Sequence, residues 1–146
     1  MHLFDILASL CIVSMTGTEF TISVILNPAL DRLDQPTWSK TMPVLARVMG
    51  RVMPIWYALG LALIGAEAYL HWSGSSRWWL VAAILLWAAA IVYSITMLVP
   101  INNRIADMSA GGASSTAAEH KRWDSLHRWR VVLLVIATMC LLWVIA

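Results

Sequence analysis

Four long apolar runs alternate with short polar links, and the lengths of the runs decide the fold class. Leu3 to Leu30, Pro43 to His71 and Trp78 to Val99 each hold few charges, and Glu119 to Ala146 holds none from Val131 onward. A bilayer core needs about 20 helical residues, so each run predicts one membrane span. The spans are expected at about 3–30, 43–71, 78–99 and 119–146, within a single all-α domain covering residues 1–146, an integral membrane four-helix bundle. Prolines punctuate the pattern. Asn27-Pro28 closes the first span, Pro43 suits the first turn of the second, Pro54 bends it, and Pro100 stops the third. Asp31 to Thr41 is a polar link, Ser73-Gly74-Ser75-Ser76 a tight turn, and Ile101 to Ala118, with Gly111-Gly112, a long mobile loop.

The polar exceptions inside these runs carry the functional signal. Thr16, Glu19, Ser23 and Asn27 are spaced three, four and four apart and share one face of the first helix. Trp123, His127 and Arg130 share a face of the last helix with Leu134 and Ala137. At about 1.5 Å per residue, Glu19 lies about 16 Å from its loop, Arg51 about 12 Å, and His127 and Arg130 roughly 12 to 16 Å. Charge at that depth costs several kcal/mol unless it faces a partner or a wet cavity. The pattern therefore predicts a polar cavity inside the bundle, open toward the cytoplasm, with Glu19 offsetting Arg51 or Arg130. Tyr93 and Thr96 on helix three face the same level. The competing reading has His127 and Arg130 reaching for lipid headgroups, as Arg122 and Arg128 are expected to do, but histidine is too short to do so from this depth. Glu67, His2, His71 and His120 fall near segment ends and are expected to be solvated, whereas Met42, Met49, Met53 and Met97 read as core filling.

Composition adds sidedness. The chain is 60% hydrophobic and 12% charged, with a mean hydropathy of +0.74 and nine tryptophans, which excludes an ordinary soluble domain. A net charge of +2 gives no footprint for nucleic acid. Arg32, Lys40, Arg47 and Arg51 gather around the first loop, and Arg104, Lys121, Arg122, Arg128 and Arg130 around the third, against Arg77 alone in the second. Basic residues favour the inner side, so loops 31–42 and 100–118 are expected in the cytoplasm of a bacterial cell and both termini outside its cytoplasmic membrane. Cys11 and Cys140 sit alone in apolar runs with no metal-ligand spacing and read as packing residues.

Pro100-x-Asn102 before a loop, Trp123-x3-His127-x2-Arg130 at the last span, and Gly17-x-x-Phe20 followed by Pro28 together resemble the integral-membrane domain-of-unknown-function family that includes the anthrone oxygenases. The resemblance covers nearly the whole chain. It implies a small membrane oxygenase or oxidoreductase that turns the ring methylene of an apolar aromatic substrate into a quinone carbonyl with molecular oxygen. An anthrone is a flat carbon acid that partitions into a membrane and needs a base. His127 suits that role near neutral pH, with Arg130 or Arg51 stabilising the enolate. His127, Arg130, Glu19 and Asn102 are then the candidate catalytic set, and Trp123, Arg51, Tyr93 and Asn27 the candidate substrate contacts. No cofactor is strictly required. The alternative keeps His127 as the single axial ligand of a haem b; copper or non-haem iron is less favoured, since only Glu19 joins His127 as an evident ligand. A non-catalytic assembly or binding subunit of the membrane stays open beside the enzyme, and so does a transporter component, for which so short a chain needs to form a homo-oligomer.

Overall fold

The computed structural model describes residues 3–72, 76–107 and 113–145, the backbone alone for 113–117; the turn at Ser73 to Ser75 and Gly111-Gly112 lie outside the described residues. All regular structure among these residues is helical. Helix α1 covers Leu3–Leu30, α2 Gln35–Leu70, α3 Arg77–Ala106 and α4 Ala113–Ile145, and all four are long and apolar enough to cross a membrane. They form the all-α bundle that the apolar runs predict.

The helices run further than the apolar runs do. Helix α2 starts at Gln35, not Pro43, because Asp34 caps it: the carboxylate accepts the Thr37 N–H at 3.3 Å and Pro36 fills the first turn. That same hydrogen bonding from Thr37 holds the Asp34 carboxyl below its ordinary value. Pro43 and Pro54 both lie inside an unbroken helix. Helix α3 likewise passes through Pro100 to Ala106, so the loop expected over 101–118 is helical at both its ends. Pro28 and Pro100 share a device. Each follows a π-helical turn, Ile22–Leu26 in α1 and Ser94–Leu98 in α3. A proline lacks the N–H for the carbonyl four residues back and crowds it, and one wider turn relieves that clash without ending the helix. The two prolines are thus bulges within spans rather than their ends.

Ile12, Met15, Tyr57, Ile64, Leu80, Trp87, Leu134 and Leu141 bring all four helices into one buried core. Leu30, Trp38, Met42, Ile101 and Ile105 close the end next to the first and third links. The outer faces stay apolar, with Leu10, Ile55, Leu85, Val92, Met139 and Trp143 all exposed, as a lipid-facing surface requires. Met97 also faces outward and fills no core. The Cys140 thiol is buried in the main core and Cys11 is half-buried.

Helices α2 and α3 pack tightly at Gly60. Trp87 is wholly buried, its indole lies against Gly60, and its Nε1 donates to the Tyr57 carbonyl at 3.0 Å. A Cβ on Gly60 would run into that ring, which is fixed by its hydrogen bond. Gly60→Ala is therefore expected to destabilise the bundle by about 1–3 kcal/mol through overpacking. This exceeds the gain of up to about 1 kcal/mol in helix propensity. Thermal unfolding in detergent measures it, and a variant as stable as the parent would show that the two helices separate freely.

Candidate active site

Helix α1 turns its polar stripe inward along its whole length: Thr16, Glu19, Ser23 and Asn27 are all buried. Thr16 pairs with Thr138 of α4 at 2.8 Å, and Asn27 donates to Asp124 of α4 at 2.6 Å. Between these two ties stands Glu19, fully buried and fully engaged. Its Oε2 accepts from Arg130 Nη2 at 2.7 Å, and its Oε1 accepts from the Tyr57 hydroxyl at 2.9 Å. The charge that the sequence places on helix one thus meets Arg130, one of its two expected partners. Arg51, the other, is exposed on the outer face of α2.

His127 completes the cluster from one turn earlier on α4. Its Nε2 lies 3.2 Å from the Glu19 carbonyl, and its Nδ1 lies 2.8 Å from Arg130 Nη2 and 3.3 Å from Glu19 Oε2. A carbonyl can only accept, so Nε2 carries the ring proton and Nδ1 accepts from the guanidinium. One amino group of Arg130 therefore serves both the carboxylate and the imidazole. The other, Nη1, reaches Ser94 of α3 at 3.3 Å, while Nε has no acceptor among the described residues. Three helices are tied at one level by a single cation.

A cavity of about 370 Å³ lies against this cluster, between α2, α3 and α4. Arg130, Tyr57, Ser94, Asn102, Asn103 and Trp123 supply its polar and aromatic wall, and Met49, Met53, Leu61, Ile91 and Leu98 its apolar one. Two rims lead outward. Gly50, Pro54 and Ala58 on α2, and Ile95, Val99 and Asn103 on α3, recur every fourth residue, line the cavity and are exposed. The mouth thus runs along the side of the bundle between α2 and α3. Gly50 permits this geometry. Asn102 donates across the gap to the Ala46 carbonyl at 2.9 Å, and a Cβ at Gly50 would stand 3.2 Å from that amide.

The expected site residues separate into three groups. Arg130, Asn102 and Trp123 line the cavity; Glu19 and His127 stand behind its wall, holding Arg130. Asn27, Arg51 and Tyr93 are not among its lining: Asn27 is spent on Asp124, Arg51 faces outward, and Tyr93 is half-buried elsewhere on α3. Tyr57 and Ser94 take the places the sequence reading gave to Arg51 and Tyr93. The signal for Tyr57 was present in the spacing Gly50, Met53, Tyr57, Leu61, a helical face that leads through Pro54's turn.

Haem does not fit at His127. Both ring nitrogens are engaged, the residue is 0% exposed, and Trp123 covers one face of the ring at a centroid distance of 4.7 Å. An axial bond would have to displace either Arg130 or the Glu19 carbonyl. Nor is His120 solvated as its position near a segment end suggests. It is 2% exposed, stacked on the other side of Trp123 at 6.5 Å and edge-on to Trp38 at 5.7 Å. The sequence puts His120 in the first turn of the last span, and only the packing of Trp38 and Trp123 against it places that turn inside the bundle.

A family model described as anthrone oxygenase matches residues 38–140. That range takes in Tyr57, Ser94, Asn102, Trp123, His127 and Arg130 and begins beyond Glu19. No curated protein and no solved structure gives a match.

Proposed function

Because the chain belongs to the anthrone oxygenase family, we propose that it is a membrane oxygenase whose substrate is a flat, apolar aromatic carbon acid taken from the bilayer into the cavity between α2, α3 and α4. The observation that carries this reading is Arg130: a guanidinium in the wall of a largely apolar cavity, with its Nε lacking an acceptor among the described residues. Such a cation stabilises an enolate far better in a dry site than in water. The volume falls within the range of about 300–1,000 Å³ usual for small-molecule sites. The sideways mouth suits a substrate that dissolves in lipid.

The residues divide the chemistry among themselves. Arg130 receives the substrate's oxygen as negative charge develops. Tyr57 lines the cavity and donates to Glu19, so a proton leaving the substrate's methylene passes to the tyrosine oxygen as its own proton moves to the carboxylate. His127 holds the guanidinium in place as a positioning residue, since it does not line the cavity and its two nitrogens are taken by the Glu19 carbonyl and Arg130. The carbanion then reacts with oxygen. One oxygen atom becomes the new carbonyl and the other leaves as water with the two methylene hydrogens, which balances without a further reductant. Asn102, fixed to Ala46, borders the site. The same reading keeps residues 31–42 and 100–118, the first and third links with their helical flanks, in the cytoplasm, on the strength of the basic residues in and around them.

Purified protein in detergent, given anthrone and labelled oxygen gas, tests this directly. We expect anthraquinone to form faster than by spontaneous oxidation, with the label in the new carbonyl. A rate equal to that of boiled protein would remove the oxygenase reading and leave a binding subunit.

A further inference from the structure

A second cluster of ionisable groups lies at the other end of the bundle, about 21 Å along α1 from Glu19. Asp5 in the first turn of α1 is 3% exposed, and Glu67 near the end of α2 is 0% exposed. His71, which ends α2, is half-buried. One ligand atom from each of the three lies within 4.8 Å of the other two. The site already described uses none of them.

A wholly buried carboxylate such as Glu67 loses its hydration at a cost that a cation or hydrogen-bond donor has to offset. A simple ion pair between Glu67 and His71, four residues apart on one helix, accounts for only part of the arrangement. His71 Nδ1 is 3.1 Å from Glu67 Oε2, yet the same nitrogen is hydrogen-bonded to the Glu67 carbonyl at 3.3 Å. Among the described residues neither carboxylate oxygen of Glu67 receives a hydrogen bond, although the side chain is wholly buried. Nor does an ion pair within α2 explain why α1 brings a third ligand, Asp5, to the same point.

We propose that Asp5, Glu67 and His71 bind one divalent transition-metal ion of the zinc type, which joins the start of α1 to the end of α2. Two ligands about 2.1 Å from a tetrahedral zinc ion stand about 3.4 Å apart, close to the 3.1 Å between His71 Nδ1 and Glu67 Oε2. One imidazole and two carboxylates select a first-row transition ion over calcium or magnesium, which prefer oxygen alone. His71 supplies the route in, since its side chain is 30% exposed while those behind it are closed to water. With three protein ligands, the ion keeps a fourth position for water. The proposal is independent of the oxygenase reading.

Full-length protein in detergent, stripped with a chelator, is titrated with Co2+ and with Zn2+. One bound ion per chain is expected, with the visible absorption of low-symmetry Co2+ and a rise in Tm on metal addition. Glu67→Gln should lose the bound equivalent and the Co2+ spectrum. His71→Ala, at a half-exposed position that does not endanger folding, should lose the nitrogen-dependent part of that spectrum and weaken binding. Glu119→Gln, a surface carboxylate paired with Arg104, should bind as the parent does. Binding that is absent in the parent, unchanged in both Glu67→Gln and His71→Ala, or displaced by equimolar Ca2+ would overturn the proposal.

Discussion

Glu19→Ala is expected to destabilise the bundle by about 3–5 kcal/mol, the cost of leaving a buried charge without its partner. The residue is wholly buried and accepts from both Arg130 Nη2 and the Tyr57 hydroxyl. Removing it takes the anionic partner from a largely buried guanidinium and the acceptor from a buried hydroxyl. The comparison that isolates the effect is a double-mutant cycle with Arg130→Ala. Each single change orphans one charge and the double change orphans none, so the double variant should lose markedly less than the sum. Unfolding in detergent, followed by tryptophan fluorescence, reads the cycle. Additive losses would mean that the Glu19–Arg130 pair contributes nothing beyond packing.

Arg130→Lys is expected to cost roughly 100- to 1,000-fold in the rate of substrate oxidation, the usual loss when one positioned donor to a developing oxyanion goes. The substitution keeps the positive charge that Glu19 needs, so stability should fall far less than in Arg130→Ala. What lysine cannot do is reach Glu19, His127 and Ser94 together while still turning a donor toward the cavity, because an ammonium is a single point rather than a planar fork. Rates on anthrone, set beside melting temperatures of the same preparations, separate the two effects. An Arg130→Lys protein that keeps the parent's rate would show that positive charge alone suffices, and the fork geometry would then have no role in the chemistry.

The His127 environment shows how far a sequence reading reaches. Spacing placed His127 and Arg130 on one face, and depth matched them to Glu19, but the assignment of His127 as the reacting centre depended on its nitrogens being free. They are not: one meets a backbone carbonyl and the other meets Arg130. A backbone carbonyl of α1 is invisible to any pattern of side chains. The same holds for the mouth of the cavity. Gly50, Pro54 and Ala58 recur every fourth residue on α2, and only the position of α3 across from them makes them a rim.

The sequence by itself determined the four helices, because a run of apolar residues long enough to cross a bilayer has no other way to satisfy its backbone. It also determined which face of α1 is buried, since spacings of three and four put Thr16, Glu19, Ser23 and Asn27 on one side whatever α1 packs against. The resemblance to the anthrone oxygenases was legible in Asn102, Trp123, His127 and Arg130, and the family match takes in that stretch. Only the tertiary structure decided that Arg130 rather than Arg51 meets Glu19, that Tyr57 joins them, that prolines 28 and 100 sit inside their helices, and that Asp5 comes to Glu67. The physical reason is the same in each case. Periodicity fixes the direction of a side chain about its own helix axis, whereas partnership depends on how neighbouring helices are rotated and shifted against one another, and a single residue of shift along α2 moves a charge from the core to lipid.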